Sequence, residues 1–279
     1  MSSKHNKLAN KHILIIGGTR GIGHGIATLS LSSSSSSSES SSPTRITISG
    51  SSPQTVQTAV QSLKDTFSNH PIIGIPCDLS DPTTLESNLE TLFTRAAEQN
   101  GEIDHVVYTA ADNLTLVPVR DLTVETISSA AQMRLTAPLI MAKVAQRHLH
   151  LAAKGGQVGQ FRDKSIILTT GSIAHKPNKD WSLIAYFATG LIGMTRNLAL
   201  DLSPIRVNIV EPGVVNTSLW DAAFNSVEER EAYLNKEYKH LPVGKPAAVE
   251  EVAEAYMYLL RDSNATGECV ATRGGHHLI

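Results

Sequence analysis

Three glycines near the start of the chain have the spacing of a phosphate-binding turn. Gly17, Gly21 and Gly23 follow the apolar run Ile13-Leu14-Ile15-Ile16 and open a segment with helical periodicity. Gly17 permits a sharp turn off the strand, Gly21 lets the backbone approach a pyrophosphate, and Gly23 allows the helix to pack closely on the strand. The helix start supplies free N–H groups and a partial positive charge for phosphates. Because a strand precedes and a helix follows, the pattern predicts a dinucleotide site rather than an ordinary glycine-rich turn.

The residues after the second predicted strand indicate which dinucleotide binds. Folds specific for NAD usually carry an acid there, bonded to the ribose 2′-hydroxyl. This strand is instead followed by Ser49-Gly50-Ser51-Ser52. The hydroxyls of Ser49 and Ser51 can bond a 2′-phosphate, and Arg20 in the glycine-rich turn can neutralise it, so we expect NADP(H). The alternative for Arg20 is a solvated loop cation.

The elements that must position these residues alternate along the chain. Short, continuous apolar runs predict parallel strands buried on both faces. They are His12–Ile16, Arg45–Ile48, Ile72–Ile75, His105–Thr109, Ser165–Thr169 and Arg206–Val210, with a last edge strand within Gly267–Leu278. Helices are predicted at Gly23–Leu31, Pro53–Phe67, Thr83–Gln99, Thr123–His150, Ser182–Leu202 and Ala248–Arg261. This order predicts an α/β protein: a single Rossmann domain over residues 1–279, with a doubly wound parallel sheet of about seven strands and helices on both faces.

Three segments interrupt this order. Residues 30–43 are nearly pure serine, have no apolar face to bury, and are expected to form a disordered loop. Residues 154–164 are rich in Gly and Gln and predict a surface loop inserted before the fifth strand. Residues 214–245 are expected to form a substrate-side loop.

Composition excludes several classes of function. The chain has 279 residues, a formal charge of −2 and no basic block, so neither nucleic acid nor a membrane surface is an expected partner. The two cysteines, Cys77 and Cys269, predict neither a disulfide framework nor a metal site. The polar N-terminus lacks a signal-peptide pattern, and no apolar stretch approaches the roughly 20 residues of a membrane span. A soluble, cytoplasmic protein is expected.

Several further motifs resemble the short-chain dehydrogenase/reductase family over nearly the whole chain. The matches are the glycine turn, Cys77-Asp78-Leu79, Tyr108-Thr109-Ala110-Ala111, Thr170-Gly171-Ser172, Leu198–Asn208 and Glu211–Thr217. The resemblance implies a Rossmann-fold oxidoreductase, and many relatives are homotetramers. The cofactor site so implied, together with the serines above, comprises Gly17, Thr19, Arg20, Gly21, Ile22, Gly23, Ser49, Ser51, Asp78, Leu79, Ala110, Ala111, Val215 and Thr217.

The chain departs from this family in its proton-transfer residues, which are Asn, Ser, Tyr and Lys. Ser172 is retained, but the asparagine position carries Arg134. Tyr186 is followed four residues later by Gly190, not by lysine. A gapless alignment places the family tyrosine at Ile184 and its lysine at Ala188. Using Tyr186 instead would delete two residues inside a helix and rotate the following face by roughly 200°.

The loss of the Tyr-Lys pair favours a substrate that is already cationic. Reduction of a ketone needs a hydride and a proton, whereas reduction of an iminium ion needs only the hydride. A carboxylate would stabilise the cation, and the candidates are Asp180 and Asp112; the alternative for Asp180 is a helix N-cap. Trp181 either stacks on the substrate or closes the core. Arg134 either orients a substrate carbonyl or forms a salt bridge to a neighbouring acid, with Asp180 a candidate.

This pattern resembles one branch of the family, the fungal bifunctional reductase/Diels–Alderases of malbrancheamide- and paraherquamide-type indole alkaloid biosynthesis. The resemblance implies an NADPH-dependent iminium reductase acting on an indole alkaloid or diketopiperazine-like substrate, and a cavity that guides an intramolecular cycloaddition. It implies that Asp180, Arg134 and Ser172 are catalytic and that Asp112, Trp181 and Tyr186 contact substrate, although the register makes Tyr186 a packing residue. The alternatives are an atypical carbonyl reductase, using Tyr186 or water as the acid, and a non-catalytic NADP-binding protein.

Overall fold

A computed structural model describes residues 7–35, 43–151 and 163–279. The loop predictions for residues 36–42 of the serine-rich segment and for residues 154–162 lie outside the described residues.

The core of the protein is a seven-stranded sheet in the order β3-β2-β1-β4-β5-β6-β7, with every neighbouring pair parallel. The strands are β1 His12–Ile16, β2 Arg45–Gly50, β3 Ile72–Pro76, β4 His105–Tyr108, β5 Ser165–Thr169, β6 Arg206–Pro212 and β7 Cys269–Thr272. Their apolar side chains are buried because helices cover both faces. The strand order reverses at β1, so the carboxyl ends of β1 and β4 border a crevice where ligands bind in such sheets.

Eight helices connect and cover the strands in the described part of the chain. They are α1 Gly21–Ser35, α2 Pro53–Thr66, α3 Leu85–Asn100, α4 Val124–Ala131, α5 Ala137–Leu151, α6 Ser182–Asp201, α7 Val227–Glu237 and α8 Val249–Arg261. Helices α3, α5 and α6 bury residues such as Phe93 and Met141 against one face of the sheet. Helices α1, α2 and α8 bury residues such as Ile26 and Met257 against the other. The predicted single, doubly wound Rossmann domain is confirmed.

Helix α1 is longer than the composition indicates. It continues to Ser35, so the prediction of a loop beginning at residue 30 is wrong for its first six residues. Ser30 is fully buried and its hydroxyl contacts Met257 of α8. The hydroxyl of Ser32 donates to the Thr28 carbonyl at 2.9 Å. The helix tolerates these serines because a hydroxyl can donate to a carbonyl of the preceding turn and because α1 packs on α8.

The predicted helix Thr123–His150 is interrupted. Residues Gln132–Thr136 form a single π-helical turn between α4 and α5. The hydroxyl of Tyr108 in β4 donates to the carbonyl of Met133 within this turn, at 3.0 Å. Such turns insert one extra residue and are frequent at functional sites. This one carries Arg134.

The segment 214–245 is not a simple loop. It contains a 3₁₀ turn at Ser218–Ala223 and helix α7. Ser226 caps α7, since its hydroxyl accepts from the backbone N–H of Glu229 at 3.1 Å. The Ser-x-x-Glu pattern is the sequence signal for this helix.

Helix α6 is long and apolar enough to cross a membrane by length and composition alone, so the statement that no stretch approaches that length is wrong. Half of that apolar segment is buried inside the protein, where Leu183, Ile184 and Phe187 pack. Its apolar character is that of a core helix.

Candidate active site

The turn after β1 forms a cradle without room for side chains. A Cβ on Gly17, whose φ is +93°, would lie 2.5 Å from the backbone nitrogen of Ala110. A Cβ on Gly23 would lie 2.3 Å from the carbonyl oxygen of Gly17. Helix α1 begins at Gly21, and Thr217 lies 3.6 Å from where its Cβ would be. This bare backbone at a helix start fits a dinucleotide pyrophosphate.

A groove of about 720 Å³ extends from this turn over the end of β2. Thr19, Arg20 and Ser51 line it, so the structure brings these three predicted residues together. Its wall includes further hydroxyls, on Ser52 and Thr55. The groove also includes His24 of α1 and the acid Glu250 at the start of α8. A hydroxyl-rich groove with Arg20 fits the 2′-phosphate of NADP(H).

Ser49 does not line this groove, so its predicted contact with the 2′-phosphate is wrong. Ser49 is a β2 residue paired with Ile16 and Ile75, which turns its side chain into the fully buried interior. Its carbonyl accepts from the backbone N–H groups of Gly17 and Gly18, at 2.9 and 3.0 Å. Ser49 therefore supports the glycine turn through its backbone.

The family resemblance of Cys77-Asp78-Leu79 implies a contact with the adenine, and these residues directly follow β3. Asp78 is exposed, and its Oδ1 accepts from the backbone N–H and the hydroxyl of Ser80, at 2.9 and 2.7 Å. Leu79 is buried, and its carbonyl accepts from the Gln132 side chain at 3.0 Å. Asp78 thus shapes a turn, and a contact with the adenine stays a prediction.

A second cavity, of about 240 Å³, lies beside the cradle at the carboxyl ends of β4, β5 and β6. Five of the residues implied for the cofactor line it together: Ile22, Ala110, Ala111, Val215 and Thr217, of which the resemblance places Val215 and Thr217 at the nicotinamide carboxamide. The predicted Arg134, Ser172 and Trp181 line it as well. The structure therefore joins the cofactor cradle and the predicted chemical residues in one place.

Arg134 is anchored to the loop after β4. Its Nη2 lies 2.9 Å from Oδ1 of Asp112 and donates to the carbonyls of Asp112 and Asn113, at 2.9 and 3.2 Å. Its Nε is enclosed without a hydrogen-bond partner in the described part of the chain. Asp112, and not Asp180, is thus the acid that pairs with Arg134. Asp112 is half-buried and does not line the cavity.

The cavity wall beside Ser172 is apolar at the two positions where the family has the tyrosine and the lysine of its proton relay. Ile184 and Ala188 of α6 both line the cavity and are 5% and 6% exposed. Tyr186, by contrast, is 59% exposed and lies outside the cavity, and its ring is tilted by 49° against that of Phe187, with centroids 5.2 Å apart. The assignment of Tyr186 as a substrate contact is therefore wrong: two residues along a helix turn its side chain by about 200° to the outer face. The same exposure rules out a packing role in the core.

Asp180 is exposed and does not line the cavity, although its neighbours Asn178 and Trp181 do. Its φ of +65° is left-handed, a conformation that aspartate tolerates better than most residues. The N-cap residue of α6 is Trp181, so the capping role considered for Asp180 is wrong. Trp181 also packs against Ile173 and Ile184, and so both of its predicted roles are compatible with its place.

The family assignment follows from the comparison with known proteins. The SDR-like Rossmann domain family matches residues 4–279. This chain is a short-chain dehydrogenase/reductase. It is 35% identical over 276 residues to the short-chain dehydrogenase/reductase fsr5 of Gibberella fujikuroi, covering 97% of this chain and 96% of that protein. It is 36% identical over 272 residues to malC of Malbranchea aurantiaca, covering 96% and 95%.

Solved structures of the family superpose on this reductase. The MalC reductase/Diels–Alderase of Malbranchea aurantiaca gives a TM-score of 0.84 at 34% identity, covering 98% of this chain and 99% of that one. An NADPH-bound short-chain oxidoreductase of Pseudomonas aeruginosa, described as containing an atypical catalytic center, gives 0.81 at 17% identity and covers 96% and 97%. At that identity the second match shows the shared fold alone. The cofactor of this family is a nicotinamide dinucleotide.

Sequence reasoning missed one wall of the cavity. Trp220 and Tyr238, within the segment 214–245, and His276, after β7, all line it. The indole N–H of Trp220 donates to the Val215 carbonyl at 3.2 Å. The signal for the last contribution was Gly274-Gly275, which precedes His276 and predicts a turn back towards the fold.

Proposed function

We propose that this short-chain dehydrogenase/reductase is an NADPH-dependent iminium reductase. The observation that carries the proposal is the apolar wall formed by Ile184 and Ala188 at the positions of the family's proton relay. The cradle for the cofactor is retained, so hydride delivery is retained. A substrate that needs no proton in return suits this combination.

NADPH supplies a hydride when it is bound. Reduction of C=N⁺ forms a C–H bond, and the π-electron pair of the C=N bond returns to nitrogen, so the product amine is neutral and no proton moves. The protein then has to bind and orient the cation. The hydroxyl of Ser172 and the guanidinium of Arg134, both in the cavity wall, are donors that can hold a substrate carbonyl.

A carboxylate near the cavity supports binding of a cation. We propose this role for Asp180, whose neighbours Asn178 and Trp181 both line the cavity. The attraction acts from an exposed position and is screened by solvent. Replacing Asp180 by Asn should therefore raise KM for an iminium substrate, with a smaller effect at high salt. An Asp180→Asn variant with unchanged kinetics at low salt would remove this role.

The preference for NADPH is supported by the hydroxyl-rich groove over β2, where Arg20 and Ser51 lie and no acid follows the strand.

We further propose that the cavity guides an intramolecular cycloaddition of the reduced product. The support is the likeness to MalC, which is described as a reductase/Diels–Alderase. A cycloaddition needs little acid–base chemistry and gains mainly from holding a reactive conformer. Apolar walls with Trp181 and Trp220 suit a folded aromatic substrate, such as an indole alkaloid or a diketopiperazine.

The test compares two bicyclic probes of the same shape, N-methyl-dihydroisoquinolinium and tetralone. The reductase should oxidise NADPH with the iminium and not with the ketone. Turnover of tetralone would favour an atypical carbonyl reductase. Tight NADP⁺ binding without turnover of either probe would favour a non-catalytic NADP-binding protein.

A further inference from the structure

The backbone conformation of the segment after β7 depends on two adjacent glycines. Gly274 and Gly275 have φ values of +58° and +80°. A Cβ on Gly274 would lie 2.7 Å from Val243, and a Cβ on Gly275 would lie 2.5 Å from Pro242. Only glycine fits both positions without displacement, so the segment is packed tightly on residues 242–243.

A buried ion pair anchors the same segment to the cavity floor. Nη2 of Arg273 donates to Oε2 of Glu211 at 2.9 Å, and its Nε lies 2.8 Å from Oε1. Glu211 is fully buried and directly precedes Pro212 and Gly213, which line the cavity. The backbone N–H of Gly213 also donates to the Thr272 carbonyl at 2.8 Å. Because removing either member of a buried pair is costly, the segment is held firmly.

This anchored segment places His276 in the cavity wall. The residue is 9% exposed, and neither ring nitrogen has a hydrogen-bond partner in the described part of the chain; Nδ1 is enclosed, so Nε2 is the nitrogen that a ligand in the cavity can reach. The ring of Tyr238 meets it edge-on, with centroids 6.2 Å apart. A hydrogen bond from a ligand to Nε2 would satisfy this unpaired polar atom without any change in the fold.

Three other polar side chains of the cavity already have hydrogen-bond partners. The hydroxyl of Tyr108 donates to Met133, that of Thr169 to the Tyr108 carbonyl, and that of Thr170 to the Ala188 carbonyl. His276 therefore joins Ser172 and Arg134 among the polar groups left for a ligand, and it comes from a different part of the fold.

The charges around His276 indicate which part of a ligand it meets. Burial lowers the pKa of His276, and the neighbouring Lys176, His240 and His277 lower it further. The imidazole is therefore neutral near neutral pH and can either donate or accept a hydrogen bond. The ammonium of Lys176 disfavours the cationic end of a substrate near His276, whereas an uncharged amide meets no such penalty.

We propose that His276 is a substrate-binding residue that hydrogen-bonds an uncharged amide of the substrate while the iminium end points away from it. The assignment rests on the proposed iminium reduction for the nature of the substrate, and on the anchored, unpaired imidazole for the contact. It makes the C-terminal segment a determinant of specificity.

The test measures binding to the NADP⁺-loaded protein by calorimetry. The probes are N-methyl-dihydroisoquinolinium and the same cation carrying a carboxamide. The wild-type protein should bind the carboxamide probe about tenfold more tightly, the value of one hydrogen bond of about 1.4 kcal/mol. The H276L variant should lose this preference. The H276Q variant, which keeps an amide group near the Nε2 position, should retain part of it, and H277L, at an exposed neighbour, should retain all of it.

Two results would overturn the assignment: a wild-type protein without a preference, including one that binds neither probe, or an H276L variant that keeps the preference. Oxidation of NADPH is measured separately. A His276-dependent preference without hydride transfer would refute the proposed reduction and leave this assignment standing. Reduction of both cations without a binding preference would support the proposed reduction and refute the assignment of His276.

Discussion

Restoring the family's proton relay should change which substrate this reductase accepts. The double variant Ile184→Tyr/Ala188→Lys places the Tyr-x-x-x-Lys pair on the face of α6 that lines the cavity beside Ser172. Four residues span about 6 Å along a helix and keep both side chains on one face. The lysine lowers the tyrosine pKa and lets it protonate a developing alkoxide. The variant should therefore gain reduction of tetralone.

The expected gain follows from the single step that is restored. A positioned general acid contributes typically 10²–10⁴-fold, so tetralone turnover should rise by about that factor over the wild-type background. The added ammonium should also repel an iminium ion. At about 5 Å and an effective dielectric constant of about 20, the repulsion is about 3 kcal/mol, or roughly a hundredfold weaker binding of N-methyl-dihydroisoquinolinium. The larger side chains should lower stability by about 1–3 kcal/mol each, partly relieved because they extend into a cavity.

The chain supplies a matched control in Gly190→Lys. That variant completes a Tyr-x-x-x-Lys pair with the native Tyr186, but both positions are exposed and outside the cavity. It should gain no ketone reduction. NADPH oxidation is followed by absorbance with both probes, and NADPH binding is checked by fluorescence. If G190K gains tetralone turnover, or the double variant binds NADPH but gains none, the assignment of Ile184 and Ala188 to the relay positions is refuted.

Three further outcomes are expected. Arg20→Ala should raise KM for NADPH about tenfold and leave that for NADH unchanged, because one charge-assisted contact is lost; equal effects on both would contradict the groove assignment. Burial lowers the pKa of His12 to about 4. Between about pH 6.5 and pH 4, His12 is therefore protonated in the unfolded chain but neutral in the folded protein. From pH 8 to pH 5 this one group should lower the free energy of unfolding by about 2 kcal/mol, so in urea denaturation a His12→Gln variant should show a fall smaller than that of the wild type by about this amount. Leu139 and Leu200 are exposed on α5 and α6; if the reductase is the homotetramer expected of its family, lysine at these positions should lower the mass measured by light scattering, whereas a monomeric wild type would contradict the expectation.

Local patterns predicted the sheet and the cofactor cradle because each depends on residues close in sequence. The apolar runs became β1 to β6 within two residues of their expected ends. The glycine turn could be predicted because its function depends on backbone space alone. Ser49 was misplaced because the run of serines does not show which hydroxyls point into the sheet. The serine tract after Ser30 was misjudged because packing on α8, a contact distant in sequence, stabilises its helix.

The remaining errors concern contacts that no local pattern encodes. The sequence predicted a place for Arg134 beside the predicted substrate site. It could not predict that Asp112 is its partner, because this depends on how the π-helical turn directs the Arg134 side chain towards the loop after β4. His276 was missed because its place depends on the distant Glu211–Arg273 pair. Sequence patterns thus predicted the cradle that presents a hydride, whereas the walls that select its acceptor come from tertiary contacts.

The pairing of Arg134 resolves an apparent conflict in the proposed chemistry. A free guanidinium beside the nicotinamide side of the cavity would repel an iminium ion by the same few kcal/mol that a lysine at Ala188 would introduce. Asp112, 2.9 Å away, cancels most of that charge at distances beyond the pair. The remaining N–H groups of Arg134, on Nη1, can still donate to a carbonyl at short range, where hydrogen-bond geometry matters more than net charge. For the proposed iminium reduction, this pairing lets an arginine hold a polar group of the substrate without repelling the cation, whereas an unpaired lysine at position 188 would repel it.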